Sequence, residues 1–214
     1  MKLLFIGNSH TYYNSMPELV MRLLEATGQK THVTMLTAGG KGLAYHVSSP
    51  ATAFNVRCGG YDAVIVQEKA SGFSTEEFFV PAKMLKDMAD KAKASFYLYM
   101  PWAKRDAHDT QKEMTDAHRE FCRANGCFFA PVGEVFGRFL ATESADLLYR
   151  EDGCHATPLG SYIAAVTVFY TITGRKRVIK VSDIDDPGLA LGFDEGLCQR
   201  VHTEACHTMR LFNG

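Results

Sequence analysis

The sequence predicts an α/β protein, a three-layer α/β/α sandwich on a mostly parallel sheet. Three observations carry that expectation. Short apolar runs alternate along the chain with stretches of helical periodicity. The runs are apolar throughout rather than at every second residue, as strands buried on both faces must be. Between parallel neighbours the crossovers are right-handed, so the intervening helices cover both faces of the sheet.

The elements follow in order. KLLFIG opens as the first strand. MPELVMRLLEATG follows as a helix, with Ser15 and Glu18 in capping-box spacing, Pro17 in the first turn and Gly28 at its end. THVTML is a second strand running into TAGGKG. YHVSSPATAFNV is expected to be helical in its later half. YDAVIVQEKA holds a short buried strand from Ala63 to Gln67. TEEFFVPAKMLKDMADKAKA has helical periodicity, with Pro81 at a bend or a restarted turn. SFYLYMPWAK supplies a strand, QKEMTDAHREFCRANG a helix closed by Gly126, and CFFAPVG the next strand. PLGSYIAAVTVFYTITG is a long apolar helix ending at Gly174. No repeat, low-complexity tract or linker divides the chain, so a single domain over residues 1–214 is expected. Its core spans about residues 2–174, and residues 175–214 form an extension packed on it, a strand or loop and then a helix near 194–212.

Composition removes several function classes. The 214 residues are 46% hydrophobic and 22% charged, with a net charge of −1. No basic footprint for nucleic acid is present. No apolar run approaches the roughly 20 residues that span a bilayer. The apolar start is short and lacks a small-residue cleavage site, so a cytoplasmic location is expected. The six cysteines form no C-x-x-C pair and are expected to be reduced there. Cys198, His202 and Cys206 recur along one side of a helix, with His207 beside them. That spacing suits zinc, but buried thiols of a terminal amphipathic helix suit it better, so no metal is expected.

Ligands of an open parallel sheet bind outside the carboxyl ends of its strands. Four loops leave those ends: GNSHT, TAGGKGL, VQEKASG and MPWAKRD. Ser9 therefore stands in the first loop of the active edge. A serine hydroxyl becomes a nucleophile only with a base to take its proton and a third group to orient that base. In REDGCHATPLG, Asp152 precedes His155 by three residues, so one turn can hold both.

FIGNSHT near the start, taken with DGCHATPLGSYIAA near the end, resembles the SGNH (GDSL-like) hydrolase superfamily. The resemblance covers about residues 2–174 in short blocks. It implies a flavodoxin-like sheet, with Ser9 as nucleophile, His155 as general base and Asp152 as its orienting partner. It implies an oxyanion hole from the N–H of Ser9, a glycine N–H best matched by Gly40, and a side-chain amide. Two departures are evident. The usual Gly-Asp-Ser is Gly-Asn-Ser, and the usual Gly-x-Asn-Asp block is missing, leaving Gln67 at the strand end as the amide donor. The implied activity is a serine esterase acting on a short acyl ester, acetyl above all, with a carbohydrate as a candidate alcohol and no cofactor. His10, His46 and Trp102 are candidates for lining the substrate cleft. The rival reading is a non-catalytic module that binds a nucleotide or carbohydrate at the same edge. The oligomeric state is not legible.

Overall fold

The computed structural model describes residues 1–214. Its centre is a sheet of five parallel strands: β1 (Lys2–Gly7), β2 (His32–Thr37), β3 (Ala63–Gln67), β4 (Ser95–Met100) and β5 (Phe128–Pro131). Their spatial order is β2-β1-β3-β4-β5, so the chain reverses its direction of travel between β1 and β3. Crevices at that reversal are where such sheets take ligands.

Side chains of a strand point alternately to the two faces. Leu3 and Phe5 enter one apolar core with Ile65, while Leu4 and Ile6 enter the other with Val64 and Val66. Both faces are dry, which is why these strands read as continuous apolar runs. The first face is covered by α2 (Met16–Ala26), α7 (Val132–Leu140), α8 (Pro158–Thr173) and α10 (Glu195–Asn213). The second is covered by α3 (Leu43–Ser48), α4 (Pro50–Cys58), α5 (Thr75–Lys91) and α6 (Asp109–Asn125). Two short helices complete the set, α1 (Ser9–Tyr12) and α9 (Pro187–Ala190). No helix is long and apolar enough to cross a membrane.

Four local expectations are corrected. Ser15 does not cap α2: Asn14 and Ser15 are both left-handed (φ 51° and 52°), and Ser15 makes no capping bond. An N-cap needs extended backbone to bring its hydroxyl over the first turn. Pro81 does not break α5, which runs through it. Burial of Phe78, Ala82, Leu85 and Ala89 outweighs the roughly 3 kcal/mol that a mid-helix proline costs. The segment before Pro50 is also helical, as α3, and only Ser49 is extended, as a residue before proline prefers. Finally, α7 follows β5 directly, where no helix was expected; of the strand or loop expected after α8, residues 175–186 take the loop.

Candidate active site

The Ser9 loop begins where β1 ends. A Cβ on Gly7 would lie 2.4 Å from Thr11 Oγ1 and 2.7 Å from Gln67 Oε1, so glycine here leaves these two side chains room to bond each other. Asn8 then starts α1: its Oδ1 accepts the His10 N–H at 3.1 Å, and its Nδ2 donates to the Lys41 carbonyl at 2.9 Å. One amide thus pins the serine loop to the glycine loop after β2. An aspartate at this position could not donate to Lys41. Glu68 makes a parallel link, accepting Leu43 N–H at 3.0 Å and Lys69 N–H at 2.7 Å, which ties the loop after β3 to the start of α3.

The second half of the site is the turn before α8. Gly153, at φ 63°, lets the chain fold back so that Asp152 Oδ1 accepts the N–H groups of Cys154 and His155, both at 2.9 Å. Its Oδ2 takes His155 Nδ1 at 2.5 Å, and His155 Nε2 lies 2.8 Å from Ser9 Oγ. A carboxylate only accepts, so Nδ1 carries the proton and Nε2 is free to accept from the serine hydroxyl. The bond from His155, reinforced by the two backbone N–H groups, holds the Asp152 carboxyl well below the usual carboxylate range. The Tyr13 ring stacks on the imidazole at 4.3 Å. Asn14 joins the two halves, its Nδ2 donating to the Ala156 carbonyl (3.1 Å) and to Ser161 Oγ (2.8 Å). That bridge explains the left-handed backbone before α2.

Ser9 and His155 open on a cavity of about 190 Å³, which Gly40, Ala70, Ser71 and Cys154 also line. Ser9 is the first residue of α1, so its N–H has no partner within the helix. The Gly40 N–H, at a left-handed turn (φ 68°), makes no hydrogen bond in the protein. Two residues lining this cavity therefore carry backbone N–H groups without a partner, and donors of that kind stabilise negative charge on an oxygen.

Other expected site residues take different places. Gln67 is 1% exposed and does not face the cavity. Its Oε1 accepts the Asn8 N–H (3.1 Å) and the Thr11 hydroxyl (2.9 Å), while its Nε2 donates to the Glu68 carbonyl. The Asn8 N–H can only donate, so the amide orientation is pinned, and Gln67 braces the serine loop across β1 and β3 instead. His46 is buried away from the cleft, its Nε2 donating to the Gly7 carbonyl at 2.8 Å. Trp102, 1% exposed, stacks flat on Phe136 at 4.2 Å and donates to the Cys154 carbonyl at 2.8 Å. It props the histidine turn from below and offers no face to a ligand. His10 does reach the cavity wall, with Nε2 4.0 Å from Cys154 Sγ; burial and then the neighbouring His155 lower its pKa to about 3. Cys154 lines the cavity, whereas its neighbours in sequence suggest a core position. Sequence reasoning missed Tyr13, Asn14 and Ser71. Two asparagines in one short loop, Asn8 and Asn14, were the available signal.

No protein-family model matches the chain, and no curated protein matches it in sequence. Solved structures do share its fold. A DUF4886 family protein from Bacteroides uniformis superposes over 98% of this chain and 95% of its own, at 18% identity and a TM-score of 0.75. Axe2, an acetylxylan esterase from Geobacillus stearothermophilus, covers 79% of this chain and 92% of its own, at 15% identity and a TM-score of 0.60. The psychrotrophic esterase EstA from Pseudoalteromonas sp. covers 81% and 97%, at 11% identity and a TM-score of 0.62.

Proposed function

We propose that the protein is a serine esterase of the SGNH (GDSL-like) type that hydrolyses small-molecule esters with a short acyl group, acetyl first. The observation that carries this is the hydrogen-bonded series Ser9–His155–Asp152 opening on a cavity beside two open N–H donors. The serine Oγ attacks the ester carbonyl carbon as its proton passes to His155 Nε2. The carbonyl electron pair moves to oxygen, which accepts from the Ser9 and Gly40 N–H groups. Asp152 stabilises the imidazolium without itself taking the proton. His155 then protonates the leaving alcohol, and the acyl group stays on Ser9. Water, deprotonated by the same imidazole, releases the acid and restores the serine. Every proton and electron pair in this cycle belongs to these residues, the ester or water.

The shared fold supports the reading, because it is also the fold of two esterases. Structures of catalytic mutants of Axe2 carry substitutions at a serine and at a histidine, the same two residue types joined here. A cavity of about 190 Å³ suits an acetyl group better than a long chain, and an acetylated carbohydrate is the favoured substrate class.

The test is hydrolysis of p-nitrophenyl acetate, butyrate and octanoate by the wild-type protein and by Ser9→Ala. Turnover fastest on acetate and lost with Ser9 is the expected result. Equal rates for the two proteins would overturn the reading.

A further inference from the structure

With Gln67 committed to bracing the serine loop, the cavity holds two backbone donors and lacks the third that the resemblance implies. We infer that the Ser71 hydroxyl is the third donor to the oxyanion, an assignment that rests on the serine-esterase reading. Ser71 lines the same cavity as Ser9, Gly40 and His155. It stands at the tip of a tight turn in which Phe73 N–H bonds the Ala70 carbonyl at 3.2 Å and Gly72 takes φ 65°. A glycine is what lets such a turn close with its third residue at positive φ. Glu68 holds the start of this loop against α3, whose first residue Leu43 follows Gly40 by three positions.

The hydroxyl is also free to do it. Its one side-chain contact is Cys154 Sγ at 3.7 Å, and a thiol is a weak partner that a carbonyl oxygen or alkoxide displaces. Of the other polar groups of the wall, His10 Nε2 lies 4.0 Å from Cys154 Sγ, and two are engaged. Asn8 Nδ2 is given to the Lys41 carbonyl, and Lys69 Nζ faces Glu77 at 3.3 Å. As Ser9 Oγ bonds the carbonyl carbon and its proton moves to His155, the carbonyl electron pair goes to oxygen. That oxygen then accepts from Ser9 N–H, Gly40 N–H and Ser71 O–H. When the tetrahedral species collapses, the pair returns and the three bonds relax. No atom of Ser71 is consumed.

The experiment compares wild type, Ser71→Ala, Ser71→Thr and Ser9→Ala on p-nitrophenyl acetate, and measures inhibition by a short trifluoromethyl ketone, whose Ser9 adduct carries an oxyanion. A donor used only in the transition state changes kcat rather than KM. Ser71→Ala is expected to lower kcat by about 10²-fold and to weaken the ketone by a similar factor. Its KM should hold within about threefold, and Ser71→Thr, which keeps the hydroxyl, should recover most of the loss. A merely structural role would not weaken the ketone in step with kcat. Ser71 is exposed, so an unchanged melting curve checks that the variant folds. If Ser9→Ala is dead while Ser71→Ala keeps both kcat and ketone affinity, the Ser71 assignment alone falls. If Ser9→Ala turns over like wild type, the esterase reading falls and takes Ser71 with it.

Discussion

The molecule builds the same trio of groups twice, once at its surface and once in its interior. At the surface, His155 bonds Asp152 through Nδ1 and Ser9 through Nε2. Inside, His202 bonds Asp186 through Nε2 at 2.8 Å and the Tyr170 hydroxyl through Nδ1 at 3.0 Å. The surroundings differ entirely. The Asp152 and His155 side chains are 47% and 23% exposed, whereas Asp186 and His202 are fully buried. The inner trio is closed off by further hydrogen bonds. Tyr162 donates to Asp186 Oδ1, the Gly188 N–H donates to the same oxygen, and the Ile179 N–H donates to the Tyr170 hydroxyl. Burial raises the Asp186 carboxyl, but the bonds from His202, Tyr162 and Gly188 overcome it and leave the pKa lowered. An acid, an imidazole and a hydroxyl in series are therefore not a reaction site until one end is left open to a reactant. The inner trio ties the C-terminal extension to α8. The same engagement decides how His202 is used, since both its ring nitrogens are taken by partners other than Cys198 and Cys206.

Exchanging one histidine from each trio breaks the comparison most directly. His155→Asn should lower kcat on p-nitrophenyl acetate by at least about 10⁴-fold, because Ser9, the proposed nucleophile, loses its proposed base, and leave the melting temperature near wild type. His202→Asn should do the reverse. It leaves a buried carboxylate short of a partner, which costs about 3–5 kcal/mol and lowers the Tm by roughly 10 °C. Activity of the folded fraction should survive. A His202 variant that melts normally but loses kcat would show the two trios to be coupled, and their division of labour would be wrong.

A finer distinction separates groups that react from groups that hold them in reach. Asn14 spans the serine loop and the histidine turn, and a small displacement between reacting groups is costly to rate. Asn14→Gly keeps the left-handed backbone while deleting both bonds, so it tests the bridge without adding backbone strain. The expected outcome is a roughly tenfold fall in kcat with little change in KM. An unchanged kcat would mean that packing of α2 on α8 already sets the distance between Ser9 and His155.

How much of this was legible in the sequence follows the range of the interactions. The inner strands β1, β3 and β4 were readable because burial on both faces writes an apolar run, and the half-exposed edge strand β2 was readable from its β-branched residues. Ser9, Asp152 and His155 were readable because the serine stands two residues past a strand, the acid and the histidine share one short turn, and the two blocks together carry the resemblance. Trp102 and His46 were placed in the cleft on position, and Gln67 in the oxyanion hole on the resemblance, yet their partners lie far along the chain. The acceptor of the Trp102 N–H is 52 residues away, and the Asn8 N–H held by Gln67 comes from 59 residues away. No periodicity carries that information. By contrast, α7 was within reach: Val132, Val135, Phe136 and Phe139 recur at helical spacing and all are buried. Two glycines in the same stretch concealed it.

The mildest test contrasts histidines by burial rather than by role. His118 lies inside the aromatic cluster of α5 and α6, 4.5 Å from the ring of Phe78. Its Nδ1 donates to the Met114 carbonyl at 2.7 Å, and its Nε2 has no partner. Burial, opposed only by the Met114 bond, lowers its pKa from 6.5 to about 4. The fold thus favours the neutral ring. Its contribution is fully present above pH 6.5 and is lost as the pH falls from 6.5 toward 4, where the unfolded chain binds the proton first. His10, lowered to about 3, and His46, lowered by burial, act with the same sign. Asp152 and Asp186 are held below 3.8, so their losses come at lower pH. His118→Leu should therefore flatten, but not abolish, the decline of Tm between pH 6.5 and 4. At neutral pH it should gain up to about 1 kcal/mol from removing the unpaired nitrogen. Parallel pH profiles for the two proteins would mean that His118 is protonated in the fold, and that the space around it is less dry than its aromatic neighbours make it.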